Sequence, residues 1–121
     1  MTTISVVVVD MKTATPNIYR KEFPVGDSYR EVKDLLGGGM LEYVDLGNCM
    51  GMFVDEEGKF KDLNINPPAT KLFFIQHRAL DSIMGTAVIV GPADADGNST
   101  SAPKETEKIL KSMKRVEIVI Q

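Results

Sequence analysis

The sequence predicts an α+β fold over residues 1–121 as a single domain, with two or three short helices on a mostly antiparallel mixed sheet. Two observations carry that expectation. Between Leu41 and Gly91, short apolar runs alternate with closely spaced turn residues, and elsewhere strand-like runs are interspersed with stretches of helical periodicity. The length of 121 residues suits one self-sufficient core and leaves little for a second.

In chain order, Ile4 to Val9 is β-branched on both faces, as a central strand covered from both sides requires. A turn through Pro16 leads to Ile18–Val25, a suitable antiparallel partner. Ser28 and Glu31 form a capping-box pattern; Tyr29, Val32, Leu35 and Leu36 follow at helical spacing, and Gly37 is placed to end the helix. Met40–Leu46 and Cys49–Val54 read as strands joined at Gly47-Asn48, and Lys59–Leu63 as a further short strand. Asn66 before Pro67 marks a helix start, although Leu72-Phe73-Phe74-Ile75 fits a strand as well. Ile83–Val90 reads as a strand, with Gly85 marking a bulge or a close backbone approach. The polar, Gly- and Pro-containing stretch Gly91–Ser101 reads as an exposed loop. A last helix places Thr106, Ile109, Leu110 and Met113 on one face, with Lys104, Lys108, Lys111 and Arg115 opposite; Val116–Ile120 reads as a closing strand.

Composition narrows the function classes. A formal net charge of −3 argues against a generally basic nucleic-acid-binding surface. The single cysteine excludes an internal disulfide, and the Ile4–Val9 run is too short to cross a bilayer and has no basic leader. The expectation is a cytoplasmic protein without a membrane partner.

Several motifs invite chemistry and fit simpler accounts better. Asp94-Ala95-Asp96-Gly97-Asn98 with Glu105 resembles a calcium loop, but Ser99 stands where that loop requires Gly and no helix leads in. Gly37-Gly38-Gly39 follows a helix, whereas phosphate loops open one. His77 is the only imidazole, and no motif pairs it with Cys49, which reads as a small buried hydrophobe. Asp55, Glu56 and Glu57 suit a solvated hairpin tip. The best remaining candidates for a ligand are Asn64, Asn66, Thr70, Gly85 and Thr86, which offer directional hydrogen bonds and close backbone approach. The basic stripe Lys104, Lys108, Lys111 and Arg115 could add an anion site. No catalytic residue, metal ligand or cofactor site is assigned, so the reading leans away from an enzyme.

Glu42-Tyr43-Val44-Asp45-Leu46, Val54-Asp55-Glu56-Glu57-Gly58-Lys59, Asn66-Pro67-Pro68-Ala69-Thr70 and Asp81 with Ile83–Gly91 together resemble an uncharacterised family of the DUF3846 type, common in phages, plasmids and their bacterial hosts. The resemblance extends over about two-thirds of the chain. Members typically carry an Arg in the Asn66 motif where this chain has Pro68, so no role for that Arg transfers. What the resemblance implies is a setting: a small phage or mobile-element protein in the cytoplasm of a bacterial host.

The expected function is a non-enzymatic binding protein that counters host defence, by sequestering a nucleotide-like signal or by occluding a host defence protein. Alternatives are a protein-interaction or virion accessory module, with an apolar patch or an open strand edge at the first or last strand, and a metal-dependent hydrolase using Asp55, Glu57 or Asp81. A homo-oligomer is expected, because strongly apolar terminal strands gain by pairing across a symmetry axis.

Overall fold

The computed structural model describes residues 2–47 and 49–113. Five strands, β1 (Thr3–Asp10), β2 (Asn17–Pro24), β3 (Leu41–Gly47), β4 (Met50–Asp55) and β5 (Ala87–Val90), form one sheet in the order β2-β1-β5-β4-β3. Every pairing in it is antiparallel. Three helices accompany it: α1 (Ser28–Leu35), α2 (Pro67–His77) and α3 (Thr106–Met113). The α+β class read from the sequence is the one observed.

The β-branched run of β1 buries both of its faces. Val6, Val7, Val8 and Val9 are each fully buried, because β1 lies inside the sheet between β2 and β5 and helices cover both of its faces. Ile4, Val6 and Val8 join Phe23, Val88 and Val90 beneath Val32 of α1 and Leu36. Val7 and Val9 join Met52 and Ile89 on the opposite face, beneath Ala69 and Leu72 of α2 and Leu110 of α3. One helix therefore lies on one face and two on the other.

Helix ends follow local chemistry. After α1, Gly37 takes φ +93°, its amide donates to Asp34, and the Gly38 amide donates to Lys33, closing the last turn with a left-handed cap. Asn66 caps α2 by accepting from the Ala69 amide, with Pro67 in the first helical position, so Leu72–Ile75 is helical. The Ser28 capping box does not form. The chain enters through a 3-10 turn at Val25–Asp27, which moves the cap position to Asp27, and Glu31 turns instead to Lys21 at 3.5 Å.

Other expectations are corrected. Lys59–Leu63 is no strand: the Asp55 carboxylate accepts from the Glu57 amide and from Lys61 Nζ, bending the chain into a 3-10 turn at Gly58–Phe60. The strand expected from Ile83 begins only at Ala87. Gly85 takes φ +83°, and a Cβ there would lie 2.9 Å from Leu63 Cδ1, so this is a close approach. Cys49 is exposed in the β3–β4 turn at φ +64°. The closing strand read at Val116–Ile120 lies outside the described residues.

One side chain ties the layers together. All five N–H donors of Arg20 on β2 are engaged: Nε and Nη2 reach the Glu107 carboxylate at 2.8 and 2.6 Å, Nη1 reaches Ser5 Oγ and the Ala102 carbonyl, and Nη2 also reaches the Pro103 carbonyl. The Arg20 hydrogen bonds hold the Glu107 carboxyl below its ordinary pKa.

Lysine cannot reproduce that fork, so Arg20→Lys is expected to cost about 2 kcal/mol in urea denaturation. Because the folded state holds Glu107 below its unfolded pKa, the pair's contribution is present above the ordinary carboxylate range and is lost as pH falls below it. Glu107→Gln should therefore flatten the acid limb of the stability–pH curve; an unchanged limb would show the pair to be inert.

Candidate functional site

The structure gathers Asn64, Asn66, Thr70, Gly85 and Thr86 at the end of the sheet where β1 exits, but it engages them with backbone. Asn64 Nδ2 donates to the Met11 carbonyl, and Thr86 Oγ1 accepts from the Met11 amide. Asn66, fully buried, donates through Nδ2 to the Gly85 and Val9 carbonyls while its Oδ1 caps α2. Thr70 Oγ1 accepts from the Ile83 amide at 2.9 Å. These side chains supplement a one-bridge backbone pairing, in which the Asn66 amide donates to the Ile83 carbonyl and the Gly85 amide to the Asn64 carbonyl, and they tie the segment Ile83–Thr86 to β1 and to the start of α2.

Two shallow grooves adjoin this belt. One, of about 170 Å³, is lined by Asp10, Lys12, Tyr19, Lys21, Glu31, Asp34 and Thr86 among others. Its three carboxylates outnumber its two lysines, a balance that disfavours an anionic ligand. The other, of about 260 Å³, is floored by Met11, Leu63 and Met84, with Gly85 and Thr86 at its edge. Lys104, Lys108 and Lys111 are exposed and line neither of these grooves, while Thr106 and Leu110 are buried beneath them. The basic stripe and the Asn/Thr belt are thus separate features; Arg115 lies outside the described residues.

The remaining motifs fall into structural roles. Asp94 Oδ1 accepts from the Asp96 and Asn98 amides, so its carboxylate is turned into its own loop. Asp55, far from a solvated tip, is buried against Lys61, while Asp81 pairs with Lys59. Among the described residues no group of three or more His, Cys, Asp or Glu side chains is placed to hold a metal ion. His77 stacks on Phe73 with ring centres 4.5 Å apart and meets the Asp45 carbonyl through Nε2 at 2.8 Å.

What the sequence reading passed over is an open aromatic surface. On the α1 face of β3 and β4, Tyr43 and Phe53 are register partners, edge to face with ring centres 5.3 Å apart. A Cβ at Gly51 would overlap the Tyr43 phenol, so the ring lies flat along β4. Tyr43 is 48% exposed, and Tyr29, also exposed, shares a groove with Leu41 and Phe53. Burial, and then the Asp45 carboxylate, push the Tyr43 phenol above its ordinary pKa. A groove of about 230 Å³ runs from this surface between Tyr29 and the loop at Gly97–Ser99, floored by Ile4, Leu41 and Phe53. The available signal was the alternation Leu41, Tyr43, Asp45, which puts both apolar residues on one face; the strand order that leaves that face open was not readable.

An antiparallel five-stranded sheet with unequal helical cover and an open aromatic face defines a small α+β protein built around a surface. The chain belongs to the family described as Domain of unknown function (DUF3846), which it matches over residues 2–116. No curated protein and no solved structure matches it. Among the described residues no helix is long and apolar enough to cross a membrane.

If the Asn/Thr belt is scaffold, its substitutions read out as stability. Asn66→Ala should cost about 2–4 kcal/mol, since it uncaps α2 and strands two buried carbonyls. Gly85→Ala should cost about 1–3 kcal/mol from the left-handed φ and the Leu63 contact. Thermal or urea unfolding checks both; wild-type stability in either variant would return the belt to the list of ligand sites.

Proposed function

We propose that this protein is a small non-enzymatic binding protein that acts by occluding a partner protein held against its β3–β4 face. The observation that supports this reading is the unequal cover of the sheet: α2 and α3 close one face, whereas α1 leaves Leu41, Tyr43 and Phe53 accessible on the other. Aromatic side chains of this kind supply most of the binding energy at protein interfaces. Sequestration of a nucleotide-like signal is the weaker reading, because the groove beside Thr86 has an excess of carboxylates and the Asn/Thr donors are engaged elsewhere. The setting in which we place this activity is that of the resemblance, a phage or mobile element acting on a defence protein in the cytoplasm of its host.

The test is site-directed photocrosslinking in host cells. A benzophenone side chain at Tyr43 should give a discrete adduct with one host protein, and the same group at Lys108 should not. Equal adducts from both positions, or adducts only between copies of the chain, would sink the reading; the latter would make the face a self-association surface.

A further inference from the structure

We infer that the segment bound at this face is an extended, basic stretch of the partner protein, added as a sixth strand along β3. The inference rests on the occlusion reading above and specifies what is recognised.

The backbone supplies the first argument. The Glu56 amide donates to the Met40 carbonyl at 2.9 Å, and the β3–β4 register runs on from Leu41↔Asp55 through Glu42↔Val54 to Val44↔Met52. In an antiparallel ladder bonded pairs alternate, so Glu42 and Val44 exchange bonds with β4. The N–H and C=O groups of Leu41 and Tyr43 then point away from the sheet, as does the Asp45 carbonyl, which His77 Nε2 occupies. The usable edge thus runs from Leu41 to the Asp45 amide, with the end of α2 closing it. The opposite edge, β2, is flanked on both sides by helices, through Arg20–Glu107 and Lys21–Glu31. An exposed edge of this kind is a template for another chain.

Side chains supply the second. A strand laid on this edge would set alternate residues over Leu41 and Tyr43, beside the groove at Phe53 and Tyr29, and the intervening ones next to Glu42. Glu42 is exposed and forms no ion pair among the described residues, whereas Asp45 lies on the Leu41–Tyr43 face with its carboxylate accepting from the Gly47 amide. The matching sequence alternates apolar residues with Lys or Arg. An acidic segment would place like charges directly opposite each other.

Blocked octapeptides test this on the intact protein: alternating Val and Lys, alternating Val and Glu, and the Val/Lys peptide N-methylated at every residue, so that neither of its edges can donate. Amide exchange followed by NMR is the readout, with the Glu42 and Val44 amides, paired to β4, as internal references. The Val/Lys peptide should slow exchange at Leu41 and Tyr43 roughly tenfold or more. The Val/Glu and N-methylated peptides should not, and Glu42→Lys should abolish the effect of Val/Lys. Equal protection by Val/Lys and Val/Glu overturns the charge argument. Undiminished protection by the N-methylated peptide, or none by any peptide, overturns strand addition. A Tyr43 crosslink to a host protein without peptide protection would leave occlusion standing and remove the strand; protection without the crosslink would do the reverse.

Discussion

The rest of the structure depends on Arg20. α3, described over Thr106–Met113, draws most of its stability from packing on the sheet rather than from its own propensity. Apolar burial of Leu110 supplies part of that, but non-directional burial does not fix where along the sheet a helix sits. The guanidinium does, since its planar fork reads four groups at once: a carboxylate on α3, two carbonyls at Ala102 and Pro103, and a hydroxyl on β1. The approach to α3 is locked in the same place, with the Ser5 amide donating to Ser101 Oγ and the Ala102 amide to the Ser5 carbonyl.

A similar logic governs the opposite end of the sheet. Where Gly85 interrupts the run into β5, the chain leaves the five-stranded ladder and keeps only a single bridge to Asn64–Asn66, so the remaining backbone groups need other partners. Asn64, Asn66, Thr70 and Thr86 provide them. This explains why four polar side chains, two of them buried, cluster around one strand exit. Directional polarity with glycine alongside looks, in a sequence, like a ligand site. Here each side chain has a backbone partner within the chain itself, and the two grooves beside them are shallow and of mixed charge.

What was legible in the sequence was local. Gly37 and Gly38 after α1, Asn66-Pro67 before α2, the doubly apolar β1 and the Leu110 face of α3 each encode their conformation within a few residues. The misreadings turned on side-chain contacts and turn geometry that the hydrophobic pattern does not carry. Lys59–Leu63 has strand composition, yet Lys61 is drawn back to Asp55 and Lys59 to Asp81. Ser28 has a cap's chemistry, yet the preceding 3-10 turn shifts the helix start. Cys49 sits between two strands in sequence and in the turn in space. The aromatic surface was invisible because that pattern carries no strand order either. Tyr43 and Phe53 are ordinary strand residues until the order β2-β1-β5-β4-β3 makes β3 an edge.

That order also shows why the surface is built in. A helix is about 10 Å across and covers roughly two strands spaced about 4.8 Å apart, so a five-stranded sheet needs two helices per face. The far face has them in α2 and α3. On the near face α1 packs against β2 and its neighbours, and the left-handed cap at Gly37 then turns the chain out and across to β3. No second helix follows before Leu41, so the β4–β3 half of that face has no helical cover from the described residues. Phe53, Tyr43 and Leu41 fill that half with large apolar side chains where a solvated face would carry short polar ones, and Gly51 makes room for the phenol to lie flat. Among the described residues that half of the sheet is thus apolar, only partly covered and bounded by an edge strand, which are the features on which the proposed docking of another chain rests.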